Sequence, residues 1–329
     1  MGKQEKKIKK VLIVIASYSA FRNPLKKAFR SLDIMTSFFD NRKTTLFEKM
    51  IFASSLVIPH FYSLATRQLN NRLVKQIQRF KPDLVLVSKG ENILPGTVKA
   101  ISKNTIIVNW FTDFFDDFKM INKWLSVYSF FFTGDRQDVK TYRKKGYENL
   151  FCLPYAGPTI STKHKNRMND VVFIGSYSPT REKLFEEMKS FNLKIWGDDK
   201  WAKSKLSGNY MGKWLNQDGV KDVLTNSKIV INHHQNRVLN MRVYEATAAG
   251  AMLITDNAPD LHLMFKVGRE VILYNNQKDL YKKIKYYLKN DDLRAKIAQS
   301  GYLRTKNDHN YTNRIKLMFS IIRKGITTK

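Results

Sequence analysis

The sequence predicts an α/β fold with parallel sheets, built twice along the chain. Short apolar runs rich in β-branched and aromatic residues alternate with helical patterns nearly throughout. The alternation lapses once, in the polar stretch GPTISTKHKNRMND (157–170), and then restarts, so that stretch reads as an interdomain linker. At 329 residues the chain is too long for one compact core and fits two domains of ordinary size. A hydrophobic content of 43% fills two cores and excludes a disordered chain.

In the first half KKVLIVIAS (9–17) opens as a strand, followed by a basic helix near 23–31 and a second strand in IMTSFFD (34–40). Residues 45–80 carry helical spacing. KPDLVLVSKG (81–90) is a strand opened by Pro-Asp and closed by Gly90; NTIIVNWFTD (104–113) and VYSFFFTG (127–134) are two more. A helix over 134–147 stops at Gly146, and NLFCLPYAGP (149–158) is the last strand. The second half starts with strand, glycine turn and helix in DVVFIGSYSPTREKLFEEMKSF (170–191). LKIWGDD (193–199) and KIVINHH (228–234) read as strands flanking a helix at 219–227. NMRVYEATAAGAMLITD (240–256) is a helix running through Gly250 into a strand, and EVILYNN (270–276) is one more strand. Residues 278–329 read as helical. The resulting domains are 1–157 and 158–309, with 310–329 a terminal helix that packs back on the first.

One cysteine, Cys152, excludes an internal disulfide framework and suits a reducing cytoplasm. The apolar run VLIVIA is short for a secretory signal, and Lys6 stands where myristoylation wants Ser or Thr. MIFASSLVIPHFYSLAT (50–66) is broken by Pro59 and His60 and reads as a buried or interfacial helix, not a membrane span. The net charge of +30 points to polyanionic partners, although lysines spread over solvated faces would give the same number. Residues 1–30 hold nine Lys/Arg against Glu5 alone, a density that suits peripheral contact with an anionic membrane surface. Nucleic acid is not expected, because no zinc-finger spacing, RNA-binding aromatic motif or helix-turn-helix pattern is present.

Three constellations carry chemistry. In FIGSYSPTREKL the turn falls at the carboxyl edge of a parallel sheet, where open α/β folds bind ligands. Gly175 would let backbone approach a ligand closely, the helix N-terminus would suit a phosphate, and Arg181 in the first helical turn would clamp a diphosphate. A tight turn with Arg181 paired to Glu182 is the plainer alternative. In the second constellation Asn232, His233 and His234 end a strand, Asn240 is an N-cap, and Arg242 and Glu245 share a helix face. A carboxylate there can accept ribose hydroxyls and an arginine can neutralise phosphate; an internal Arg242–Glu245 ion pair is equally consistent. The third is NWFTDFFDD (109–117), where Asp113 follows a strand as a candidate general base, with helix capping as the alternative. Its acids lack Asp-x-Asp spacing at Asp113, so no metal is assigned.

In this order and spacing, FIGSYSPTREKL, LKIWGDD, RVYEATAAGAMLITD, GREVILYNNQKDL and IAQSGYLRTKNDHNYTNR resemble the CgeB-type (spore maturation protein-like) glycosyltransferases of GT-B fold. KPDLVLVSKG, VNWFTDFFDD and FFFTGDRQDVKTYRKKGYENLFCLPYA extend the similarity to most of residues 80–315. The resemblance implies two Rossmann-like domains facing across a cleft, a nucleotide-sugar as co-substrate, no cofactor, and a glycan or lipid-linked acceptor. It implies that Glu245 binds the donor ribose and that Arg181, with Arg242 as second candidate, holds the diphosphate. Gly175 and Ser176 would line the phosphate turn, and Gly197, Asn232 and His234 would border base or sugar. If the reaction inverts, Asp113 is its base. Where related retaining enzymes carry an acid eight residues before the ribose glutamate, this chain has Arg237. A non-catalytic basic protein of the same fold, binding polyanions or anionic membrane, is the other class the sequence allows.

Overall fold

The computed structural model describes residues 8–43, 60–117, 121–160 and 167–327. The helical expectation over 45–59, the body of the uncharged run at 50–59 and residues 161–166 of the linker lie outside them. The chain forms two units, Met1–Pro154 with Ile315–Lys329, and Tyr155–Arg314.

Unit 1 carries six parallel strands: β1 (Lys10–Val14), β2 (Met35–Phe39), β3 (Leu84–Ser88), β4 (Ile106–Phe111), β5 (Phe130–Thr133) and β6 (Leu150–Cys152). Their order is β2-β1-β3-β4-β5-β6. The central strands are buried on both faces, which is why they read as continuous apolar runs. On one face Leu12, Val14, Val85, Val87 and Phe131 pack with Leu69 and Leu73 of the helix His60–Phe80. The chain switches sides between β1 and β3, so the ends of β3 and β4 project from the sheet's carboxyl edge. The helix Arg136–Lys144 begins where Asp135 accepts the Gln137 N–H at 2.7 Å, and it stops before Gly146, whose φ is 91°. The last helix, Tyr311–Thr327, is counted with unit 1 from Ile315 onward. There Phe319 lies 6.2 Å from Phe29, ring to ring, and Gly325 sits against Phe130.

Unit 2 repeats the plan with β7 (Asn169–Ile174), β8 (Leu193–Trp196), β9 (Tyr210–Gly212), β10 (Ser227–Asn232), β11 (Met252–Thr255) and β12 (Ile272–Leu273). The order β12-β11-β10-β7-β8-β9 is that of dinucleotide-binding folds, with the switch point between β7 and β10. The strand expected over 270–276 shrinks to Ile272–Leu273, and β9 was not foreseen. The start of the expected linker is fixed. The Gly157 N–H donates to the His309 carbonyl at 2.8 Å, and a Cβ there would stand 2.7 Å from the Tyr244 carbonyl oxygen.

Arg167 closes the amino edge of the second sheet. Its Nη1 donates to the carbonyls of Thr225 and Ser227 at 3.0 and 2.8 Å, and its Nη2 to that of Gly250 at 2.6 Å. A cation there meets the negative ends of two helices, Gln217–Thr225 and Met241–Ala248. No helix among the described residues is long and apolar enough to cross a membrane.

Candidate functional site

At the switch point of unit 2 the glycines set how closely backbone can approach. A Cβ on Gly197 would collide with the Gly175 carbonyl oxygen, so only glycine lets the turns after β7 and β8 touch. That same carbonyl accepts Trp201 Nε1 at 2.9 Å. On Gly175 itself a Cβ would fall 2.7 Å from the Phe173 ring.

Arg181 ties the two sides of the switch point together. It is only 5% exposed, and its guanidinium lies over Phe173. Nη1 donates to the Ser176 carbonyl at 2.9 Å and to its Oγ at 3.1 Å, while Nη2 donates to the His233 carbonyl. Burial lowers its pKa, against the opposing charges of Asp256, Tyr274 and Asp198. The alternative Arg181–Glu182 pair does not form: Glu182 accepts from the Tyr177 hydroxyl at 2.7 Å and from the Lys205 N–H. The helix Pro179–Phe185 also has fewer free N–H groups than the sequence implied. Pro179 has none, Ser178 Oγ accepts the Arg181 N–H, and Asp198 accepts the Tyr177 N–H at 2.9 Å.

Beyond β10 the second constellation is assembled. Asn240 stands at the N-cap position of the helix Met241–Ala248, but its side chain makes no cap; it donates instead to Asn232 Oδ1 at 2.9 Å. The first turn of this helix is therefore uncapped by Asn240. Arg242 Nη1 and Glu245 Oε2 are 2.7 Å apart, each side chain 13% exposed, so the ion pair forms at a partly open helix face. Burial raises the Glu245 carboxyl above its usual value, and Arg242 pulls it back. Small residues let this helix pack closely: Thr247 and Thr305 hydroxyls meet at 2.7 Å across to the helix Asp291–Asp308.

The structure adds a cluster at the ends of β10 to β12. The Asp256 carboxylate accepts the His234 backbone N–H at 2.9 Å, lies 2.6 Å from His234 Nδ1, and lies 3.2 Å from His233 Nδ1. Asn232 Nδ2 donates to Thr255 Oγ1 at 3.0 Å. Burial would raise the Asp256 carboxyl, but the hydrogen bonds and charges of His234, with His233, outweigh it and hold it below the usual range. His234 is thus an internal residue, its side chain 3% exposed, whereas His233 is 23% exposed. Asp256 and Tyr274 were missed as site residues, although an acid directly after an apolar strand was a readable signal.

In unit 1, Asp113 follows β4 at the carboxyl edge and pairs with Lys89 Nζ at 2.6 Å, both side chains partly open to solvent. Lys89 and Gly90 both take positive φ, 60° and 83°, which turns the chain sharply after β3. No group of three or more His, Cys, Asp or Glu with metal-binding geometry occurs among the described residues.

The family described as "Glycosyl transferase-like" matches residues 180–320, a span that starts beside Arg181 and takes in Asn232, His234, Arg242 and Glu245. The spore protein CgeB of Bacillus subtilis (strain 168) is 22% identical over 275 residues, 74% of this chain and 84% of CgeB. The chain is similar to CgeB over most of its length. Solved structures extend the likeness to the fold. Anabaena HepE, in complex with UDP and glucose, has a TM-score of 0.64 at 11% identity, covering 96% of this chain and 99% of HepE. Sucrose-phosphate synthase from Thermosynechococcus elongatus has a TM-score of 0.70 at 9% identity, covering 98% and 100%. The fold of the chain is therefore GT-B.

Proposed function

We propose that the chain is a glycosyltransferase that moves a sugar from a nucleoside-diphosphate sugar to a hydroxyl acceptor. The observation that carries this reading is the gathering of glycine turns, Arg181, Asn232 and the Arg242–Glu245 pair at the carboxyl side of one parallel sheet, all but the Gly175 turn inside the matched span. HepE, of the same fold, was solved with UDP-glucose.

In this reading Glu245 accepts the ribose hydroxyls and Arg242 turns from its carboxylate partner toward the diphosphate. Arg181, held by Ser176 and His233 through its two Nη atoms, supplies positive charge beneath the phosphate turn and fixes its shape. The leaving diphosphate is neutralised by arginine, and no metal or other cofactor is assigned. Asp113, paired with Lys89, takes the proton of the acceptor hydroxyl if the reaction inverts. Gly175 and Gly197 keep the turn bare enough for a ligand. A hexose is the expected cargo, and a cell-surface glycan or lipid-linked precursor the expected acceptor. The charge of +30 supports work in the cytoplasm at an anionic membrane face.

Calorimetry with UDP, GDP and their common sugar conjugates, followed by a diphosphate-release assay, tests the proposal. Binding of a diphosphate and its sugar conjugate is the expected result. Absence of binding to every donor, with salt-dependent binding to anionic vesicles or polyanions, would instead favour the non-catalytic alternative.

A further inference from the structure

A donor site needs an acceptor atom for a sugar hydroxyl, and the acid that related retaining enzymes carry eight residues before the ribose glutamate is Arg237 here. The cluster at the ends of β10 to β12 contains one side chain that fits the task. His233 is partly exposed while its backbone carbonyl is held by Arg181, so the residue is fixed at the switch point with one ring edge open. Its Nδ1 is engaged on the inner side, 2.7 Å from the Tyr274 hydroxyl and 3.2 Å from Asp256. Its Nε2 has no protein partner among the described residues.

The protonation of the ring follows from its neighbours. Tyr274 is buried and its pKa is raised, first by burial and then by Asp256, so it keeps its proton. That hydroxyl donates to the Asn232 carbonyl at 3.4 Å, which leaves its oxygen to accept from His233 Nδ1–H. Asp256 beside Nδ1 favours the same hydrogen position. Burial depresses the imidazole pKa, Asp256 opposes this, and Arg181 and His234 depress it further, so the ring is neutral. A neutral ring with its proton on Nδ1 presents a lone pair on Nε2.

We propose that His233, oriented by Tyr274 and Asp256, contacts the donor sugar and accepts a hydrogen bond from one of its hydroxyls through Nε2. The assignment rests on the glycosyltransferase reading and goes beyond it by giving the sugar a contact in unit 2. His233 would touch substrate, whereas Tyr274 and Asp256 act through it as positioning residues.

The test compares each nucleotide-sugar with its own diphosphate: UDP-glucose and UDP-N-acetylglucosamine against UDP, and GDP-mannose against GDP. For the pair that binds, His233→Ala should weaken the sugar conjugate about tenfold, the value of one lost hydrogen bond, and the bare diphosphate less than twofold. His233→Gln, whose side-chain oxygen reaches the Nε2 position, should recover part of the loss. Tyr274→Phe keeps the ring packing but removes the oxygen that fixes the tautomer, and should cost the conjugate about threefold. Nitrogen-15 NMR of labelled histidine should show His233 protonated on Nδ1 at pH 7.5, with the Nε2 signal moved by the conjugate and not by the diphosphate. Equal losses for conjugate and diphosphate, or a stationary Nε2 signal, would overturn the assignment while leaving the glycosyltransferase reading intact. Failure of the unmodified protein to bind any of these donors or diphosphates would overturn both.

Discussion

Replacing Glu245 by Gln keeps the shape of the side chain and removes its charge. The carboxylate is 13% exposed and lies 2.7 Å from Arg242 Nη1, so little water would substitute for it in the bound state. A hydrogen bond to a charged acceptor contributes about 1.5–3 kcal/mol, so losing it should weaken UDP roughly 10- to 150-fold. Folding should suffer less. The amide oxygen still accepts from Arg242, and the buried face no longer has to hold an ionised carboxyl, so stability at neutral pH should change little. The raised carboxyl pKa also has a sign: between its usual and raised values the native state binds more protons than the unfolded chain. Wild-type stability therefore falls as pH rises through that window, and the Gln variant lacks this slope. Calorimetry with UDP and 2′-deoxy-UDP isolates the ribose contact: the wild type should prefer UDP, and Glu245→Gln should bind the two nearly alike. A variant that binds UDP as tightly as the wild type, and still prefers it to the deoxy form, would refute the role of Glu245.

Three further outcomes are expected. If the reaction inverts, Asp113→Asn should lower kcat by about 10²–10⁴-fold with donor affinity and Tm unchanged, as measured by steady-state transfer and calorimetry. Arg167→Ala strips three helix-end and strand carbonyls of their shared donor and should cost about 3–5 kcal/mol in denaturant unfolding. His309 is lowered to about 4, chiefly by burial, with Met264 opposing and Arg314 adding to the shift. Its unfolded value lies higher, near 6.5, so stability is intact above that and lost as pH falls toward 4, by about 3 kcal/mol. His309→Gln should flatten that part of the unfolding profile.

The strands that were legible are those buried on both faces, such as Leu84–Ser88 and Met252–Thr255, whose unbroken apolar runs admit few other readings. Tyr210–Gly212 escaped because a three-residue edge strand, partly exposed, has too few side chains to set a period. Asn240 was legible as a position and not as a contact: Asn232 competes for its amide from eight residues away. Arg181 shows the same limit. Sequence locates its charge at the turn, but the partners that hold it come from both sides of the switch point, brought together only by the sheet order. His233 and His234 are adjacent, and near a strand end one faces inward and one outward. Which one does so depends on the placement of Asp256, which the chain supplies twenty-two residues later.

The residues from Ile315 onward complete the first unit, although they are synthesised after the whole of the second. Met318 and Ile322 are fully buried there, and Phe319 and Gly325 cover Phe29 and Phe130. During translation the amino-terminal unit must therefore wait, with an apolar patch uncovered, until the whole intervening domain has left the ribosome. A premature stop after Arg314 would spare every residue of the proposed donor site yet leave the first unit prone to aggregation.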